Sequence, residues 1–587
     1  MKLGRTQGWG LPVVAWPDRL RPTVWDLAAF PLVLGSLALL AWGATSMNVP
    51  YQVGEPLPIS LDPMNLPAYA LRTVLRMFLA LAVSLVFSLA YAALAAKNRH
   101  AEKLLIPLLD ILQSVPILGF LSITVTGFIA LFPGRLLGVE CAAIFAIFTS
   151  QAWNMTFSLY QSFRTVPGEL IEAARMYHLG PWTTFWRLEV PHAMPGLVWN
   201  MMMSVSGGWF FVVASEAISV HGQTIALPGM GSYIATAIEQ RSLPAIGYAV
   251  LTMLVVVLIY DQVLFRPLLA WSQKFRNEQQ TGDVEEERPW FLVLTQKARL
   301  FELFRWIGRR VRAELALRAP KRQRRSGTTG SPAGSGAAAR GAVDRVIDSV
   351  IGIGTLGIVA GLAAYVVTAL GLGEVGHVLL LGLATAVRVV VLIVLASLLW
   401  VPVGVWIGLR PDLARRAQPI VQFLAAFPAN LFFPVAVVLI LRFHLNVEIW
   451  ISPLMILGTQ WYILFNVIAG ASAIPSDLHY AAGNLGVSHW LWWRRIILPA
   501  IFPAYITGAV TAAGGSWNAS IVSEVARWGD TTLIATGIGA YIAQVTDSGD
   551  FPRVVLGIGV LCLYVVLFNR LFWRRLYDVA AERLRLD

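Results

Sequence analysis

Charge is scarce in this chain: Asp, Glu, Lys and Arg supply only 13% of 587 residues, while 57% are hydrophobic. An ordinary soluble chain carries about twice that share of charge, so a large water-soluble globule is excluded. Cysteine is nearly absent too. Cys141 and Cys562 lie in apolar segments far apart, which argues against a disulfide framework or a Cys-rich metal site and reads as two buried thiols. The chain also lacks the phosphate cradle G-x-x-x-x-G-K-[ST]. Its Gly-rich stretch "SGTTGSPAGSG" has no Lys in the required place. Polar loops carry no Ser/His/Asp set and no paired carboxylates, and no second His stands at metal spacing from His178. The expectation is a protein that is not an enzyme in its own right and binds no metal or cofactor.

What is abundant is apolar sequence in runs of bilayer length, such as "MFLALAVSLVFSLAYAALAA" and "VVLGIGVLCLYVVLF". An all-α polytopic membrane protein follows, because only helices and closed barrels satisfy the backbone in lipid. Hydropathy places about twelve spans, at roughly 27–46, 68–96, 104–131, 136–162, 196–220 and 244–270, then 345–370, 376–408, 416–442, 446–472, 501–525 and 553–573. A polar segment, residues 1–26, precedes the first run, with no small-residue cleavage pattern after it, so the first span is expected to be retained.

The formal net charge of +12 is distributed as topology, with no nucleic-acid patch. Lys97, Arg99 and Lys103 follow the second span, Arg410, Arg415 and Arg416 take the corresponding place later, and Arg574, Arg575, Arg583 and Arg585 close the chain. The alternate loop at 48–66 is almost free of Lys and Arg. The positive-inside rule then puts both termini and the basic loops in the cytoplasm.

A linker at 271–343 separates two membrane units, 27–270 and 344–575, with 576–587 as a short tail. Between Lys297 and Arg325 it holds eleven Lys and Arg against Glu302 and Glu314, followed by a Gly/Ser-rich tether. Aromatics mixed with Arg from Pro289 onward suggest an interfacial helix on anionic lipid, with a plain solvated linker as the alternative.

The two units are copies. At an offset of 308, Ala173 and Ala174 meet Ala481 and Ala482, Trp182 meets Trp490, Arg187 meets Arg495, and Pro191 and Pro195 meet Pro499 and Pro503. Farther on Trp209, Ser215 and Glu216 meet Trp517, Ser523 and Glu524, and Gly229 and Gly231 meet Gly537 and Gly539. An even number of spans per copy gives both copies one orientation, so an axis along the membrane normal can relate them.

The stretch "EAARMYHLGPWTTFWRLEVP" and its copy "YAAGNLGVSHWLWWRRIILP" lie between the fourth and fifth spans on the basic side. A short helix to Leu179, a turn at Gly180-Pro181, a second helix over 182–190, and Pro191 governing entrance to the next span are expected. In the second copy Gly486 supplies the turn.

This pattern resembles the EAA loop of inner-membrane permeases of ATP-binding cassette importers, most of all those for nitrate, sulfonate, taurine and bicarbonate. Here two permease units are fused, with cores at about 70–265 and about 380–575. The resemblance implies a type I importer-like fold in the bacterial inner membrane. It also implies a pair of partner ATPase subunits carrying ATP and Mg, and a periplasmic or extracytoplasmic substrate-binding protein. By the same resemblance the loop is a coupling helix docked on the ATPase, carried by Glu172, Ala173, Ala174, His178, Gly180, Trp182, Phe185 and Arg187. In the second copy the matching set is Tyr480, Ala481, Ala482, Gly486, Trp490, Trp493 and Arg495. Tyr480 stands where the family has Glu, and His178 where it has Gly, so the copies are expected to dock unequally.

Glu216 and Glu524, with Ser215, Ser523, Trp209 and Trp517, are candidates for the translocation route, since an acid near the bilayer core usually faces protein or water. The structural alternative, favoured slightly because carboxylates repel an anion, is that each Glu braces the segment beyond the helix end; Asp261 is read as a similar buried partner. A twelve-helix secondary transporter and a non-transporting scaffold are the competing functions, but neither gives the matched hairpins a role.

Overall fold

The computed structural model describes residues 57–114, 121–220, 223–275, 336–475, 484–487 and 489–576, with scattered positions from 34 to 51 and at 478, 482 and 579. The N-terminal segment 1–26, most of the first expected span, most of the linker with its candidate interfacial helix, and Tyr480 and Ala481 lie outside the described residues. The chain divides into two compact units. Residues 1–46 and 262–336 form one, in which Arg266–Gln273 is helical. Residues 47–261 and 337–587 form the other, which holds both repeats.

The first repeat runs α1 Leu66–Lys97, α2 Arg99–Ser114, α3 Leu121–Leu131, α4 Leu137–Arg164, α5 Gly168–Met176 and α6 Pro181–Ser215. The hairpin β1 Ala217–Val220 and β2 Gln223–Ala226 follows, then α7 Met230–Glu239 and α8 Leu243–Tyr260. The second repeat runs α9 Gly336–Gly408, α10 Pro411–Ala426, α11 Phe433–Arg442, α12 Val447–Ile456, α13 Gln460–Ser472 and α14 Trp490–Ser523. It ends with β3 Val525–Trp528 paired to β4 Thr531–Ile534, then α15 Ile538–Ser548 and α16 Phe551–Phe568.

Among the described residues six helical runs are long and apolar enough to cross a bilayer, or eight if the bent pairs α10 with α11 (74°) and α12 with α13 (46°) each count as one. The twelve uniform spans expected from hydropathy resolve differently for identifiable reasons. The third span of the second copy breaks at Phe427-Pro428, because a residue before proline leaves the helical region. The expected spans at 345–370 and 376–408 hold: within α9 two helices meet at a kink where Gly371 takes φ 80° and ψ 161°, close to the break read from the sequence. The fifth spans end at Ser215 and Ser523, five and two residues earlier than hydropathy suggested, and antiparallel hairpins follow.

Helix starts repeat as faithfully as sequence. Ser242 and Asp550, 308 apart, cap α8 and α16 by accepting the N–H groups of Ala245 and Arg553, each before a proline in the first turn. Lipid tails are as apolar as Leu, so helices here associate through close packing and small polar contacts. Along the α1–α4 seam Ser88 donates to Ala152 O at 3.1 Å and Thr156 donates to Ser88 Oγ at 2.9 Å. The repeats meet along α6: Trp199 stacks on Phe465 at 5.4 Å, and Asn430 donates to Phe210 O at 3.3 Å. Asp261 accepts from Gln422 Nε2 at 3.4 Å across the same seam.

Pro191 does not stop a helix before the next span, as the sequence suggested. Instead α6 runs from the hairpin through the span, and Phe185–Glu189 forms one π turn in which Val190 N–H reaches Phe185 O. The widened turn absorbs the clash of the proline ring with the carbonyl four residues back. Trp493–Ile497 repeats the device before Pro499.

Candidate functional site

The two hairpins fold alike around one residue. His178 takes φ 51° and Gly486 takes φ 64°, and the following amides close the turn in matched fashion, Leu179 N–H on Ala174 O and Val487 N–H on Ala482 O, both at 3.0 Å. The turn is therefore at His178, the position of the usual Gly; Gly180, with φ −68° and ψ 161°, only caps the next helix. A left-handed conformation costs a side-chain-bearing residue about 1–2 kcal/mol, with His among the better tolerated. His178→Gly should accordingly stabilise the first hairpin by about 0.5–1 kcal/mol after the added chain entropy is counted. Slower protease nicking of the hairpin in the purified protein is the expected readout; faster nicking would contradict it.

Burial sorts the hairpin residues. Ala174 and Ala482 are buried just before the two turns, and Ala173 is half-buried. Trp182 and Trp490 are 74% and 72% exposed, and Met176, Tyr177 and Leu485 stand out beside them. Glu172, Arg187 and Arg495 are exposed, whereas Phe185 is buried against Phe163 and Trp493 is half-buried. A matched pair of apolar, aromatic surfaces results at the basic end of each repeat.

At the opposite end of α6 and α14 the acids fall into two clusters, the first wholly buried and the second open to solvent at Glu448. Arg76 pairs with both oxygens of Glu140, at 2.6 and 2.7 Å, and with Glu216 at 2.6 Å. Glu216 also accepts from Thr73 Oγ1 and from Gly231 N–H, both at 2.7 Å, and Thr73 Oγ1 accepts from Met230 N–H at 3.0 Å. None of Thr73, Arg76, Glu140 and Glu216 is exposed. In the second repeat Glu524 accepts from Thr385 at 2.8 Å, Arg388 at 3.1 Å and Ala540 N–H at 3.0 Å. Arg388 also pairs with Glu448, which receives the N–H and hydroxyl of Thr536 at 3.0 and 2.8 Å.

These contacts explain the repeated glycines. A Cβ on Gly229 or Gly537 would fall on the Glu216 or Glu524 carboxylate, and one on Gly231 would strike Val213 O. Ser215 and Ser523 are wholly buried beside the acids, the former donating to Val212 O at 3.1 Å. Glu216 and Glu524 thus fasten α6 and α14 to α1 and α9 and to the short helices α7 and α15. The open space lies elsewhere, in a cavity of about 300 Å³ between the repeats, flanked by α4, α6, α13 and α14. Ser150, Asn154, Ser204, Tyr462, Thr511 and Asn518 contribute to its polar wall, and among the described residues no Asp, Glu, Lys or Arg lines it. Of the six candidate route residues only Trp517 borders this cavity; Trp209 packs edge-on against Tyr260 at 5.3 Å.

Arg76, Arg388, Glu140, Glu448, Thr73 and Thr385 were not singled out from sequence. The signal was present as "TVLR" at 73–76 and "TAVR" at 385–388, but at an offset of 312, because the first repeat holds four more residues before Glu140 than the second holds before Glu448.

Comparison with known proteins agrees with this duplicated architecture. Residues 84–265 and 400–585, together more than half of the chain, each match the family described as binding-protein-dependent transport system inner membrane component. Relatives include a bicarbonate transport system permease protein of Synechococcus elongatus, 28% identical over 176 residues, or 30% of this chain and 60% of the relative. A nitrate import permease protein of Leptolyngbya laminosa is 28% identical over 188 residues, 32% of this chain and 64% of its own length. The taurine transport system permease protein of Escherichia coli is 25% identical over 189 residues, again 32% and 64%. The chain thus spans about three-fifths of the length of the curated relatives it matches. With two matched domains, apolar helices in both and a hairpin before each fifth span, the chain belongs to the inner-membrane permease components of binding-protein-dependent, ATP-binding cassette import systems.

Proposed function

We propose that this chain supplies both membrane halves of an importer for a small anion such as nitrate, bicarbonate, taurine or another sulfonate. The solute would arrive from an extracytoplasmic binding protein and pass through the cavity between the repeats. The energy comes from ATP, with Mg, hydrolysed on two separate ATPase subunits, one seated on each hairpin. Both termini and the basic loops are on the cytoplasmic side in this reading.

The observation that carries it is the matched pair of hairpins, each turned at a left-handed residue and each presenting an exposed Trp. Exposed aromatic residues on a rigid turn are the kind of anchor that dominates protein interfaces. The cavity supports the choice of an anion, since its lining offers hydroxyls and amides and, among the described residues, no carboxylate to repel one. Affinity purification from the native membrane should bring down an ATPase, and deleting that ATPase should abolish ATP-dependent uptake of labelled nitrate, bicarbonate or taurine. Uptake that persists without it, driven by an ion gradient, would overturn the proposal in favour of a secondary transporter.

A further inference from the structure

The two hairpins turn at matched left-handed residues but are fastened to their repeats by different chemistry. In the first, Lys97 ends α1 with its Nζ 2.8 Å from Glu189 Oε2 and 4.5 Å from the centre of the Phe185 ring. Both partners belong to the π turn inside α6, one turn after its start. That Glu189 oxygen is buried and accepts no well-angled hydrogen bond, so the Lys97 ammonium is the charge that compensates it. Nearby, Tyr160 of α4 donates to Glu102 of α2 at 2.5 Å, and Arg164 approaches the same oxygen at 3.8 Å.

The second repeat carries none of these charges. Offsets of 312 in the first two helices and 308 thereafter put Leu409, Ala414, Ile468, Ser472 and Ile497 where the first repeat has Lys97, Glu102, Tyr160, Arg164 and Glu189. Ile497 and Ile468 are buried in apolar clusters, and Trp493, in the place of Phe185, packs against one of them. A surface ion pair commonly contributes almost nothing to stability. This pair differs, because Glu189 is only 17% exposed and the same ammonium also covers a buried ring.

We infer that Lys97 is a positioning residue that ties the first coupling hairpin electrostatically to α1, making this hairpin, unlike its apolar-anchored counterpart, sensitive to ionic strength. The tie matters for transport because α1 also carries Arg76, which fastens the far end of α6. Hairpin displacement would thereby reach one helix from both ends. This step rests on the reading that the hairpins seat the ATPases; the tie itself does not.

Spin labels test the tie on the permease alone. Labels are placed by Tyr177→Cys or Leu485→Cys, both at exposed positions, in a chain whose Cys141 and Cys562 are replaced by Ala. Lys97→Met should raise label mobility at 177 and leave 485 unchanged, while Lys97→Arg should retain the native spectrum. Raising KCl to about 0.5 M, where the screening length is about 4 Å, should loosen 177 in the native chain and add nothing in Lys97→Met. Unchanged mobility at 177, or equal loosening at both sites, would overturn the inference.

A second arm uses the complex with its ATPase. Lys97→Met should lower permease-stimulated ATP hydrolysis about fivefold, the low end of typical coupling between sites, with Lys97→Arg near native. If hydrolysis falls in Trp182→Ala but not in Lys97→Met, the positioning role is refuted. Should neither variant affect hydrolysis while the label at 177 loosens, the docking reading fails and the tie stands.

Discussion

Replacing Arg76 by Met is expected to destabilise the folded permease by about 3–5 kcal/mol, the range for removing one partner from a buried ion pair. Glu140 and Glu216 would be left facing each other without their shared cation, both fully buried. One of them would have to take up a proton or draw in water. Arg388→Met should cost less, toward the low end of that range at about 3 kcal/mol, because of its two carboxylates only Glu524 is fully buried, while Glu448 is 46% exposed and stays solvated when the guanidinium goes. The difference can be read from denaturation in detergent and from the monodisperse fraction on gel filtration. Equal losses at the two sites would show that burial does not set the cost.

A compensating variant separates charge from shape. Arg76→Met combined with Glu140→Gln and Glu216→Gln removes all three charges, and replacing a whole buried ion set is often close to neutral. Much of the lost stability should return. Glu216→Gln alone keeps one acceptor oxygen where the carboxylate offers one to Thr73 and Arg76 and the other to Gly231 N–H, so yield should fall while uptake per folded molecule stays near native. Loss of uptake with normal yield would instead place the carboxylate in the solute's route.

How legible these features were depended on how far each was encoded locally. The hairpins and the repeat could be read because one offset carries Trp182 to Trp490 and Pro191 to Pro499 without a gap. The arginine half of each acid cluster could not, because a four-residue length difference between α1 and α4 breaks that register. Neither β-hairpin was foreseen, and the fifth spans as read from the sequence took in β1 and the first residue of β3. Their strands are four residues long and apolar enough to continue a hydropathy run, although the turn pair Gly529-Asp530 marks the second. Placing the turn at Gly180-Pro181 followed local propensity; the fold instead holds His178 in the left-handed region, where the repeat has Gly486. The cavity was illegible in principle, since its walls come from helices of both repeats far apart in sequence.

The second large effect is expected at the hairpin surface. Trp182→Ala and Trp490→Ala should each leave stability within about 0.5 kcal/mol of native, because both rings are mostly in solvent and removing exposed area costs the fold little. ATPase affinity should nevertheless fall by at least about 2 kcal/mol, roughly thirtyfold, if these rings are interface anchors. Phe185→Ala supplies the contrast. Its ring is buried between Phe163 and the Lys97 ammonium, so its truncation should lower stability first and docking only through a displaced hairpin. Titrating purified ATPase onto immobilised permease measures all three affinities, and thermal denaturation measures the stabilities. A Trp182 or Trp490 variant that binds as tightly as the native chain would remove that hairpin from the docking surface. One strong and one weak effect would mean that the copies, alike in backbone, do not hold their ATPases alike, which is what the charged fastening of the first and the apolar fastening of the second lead us to expect.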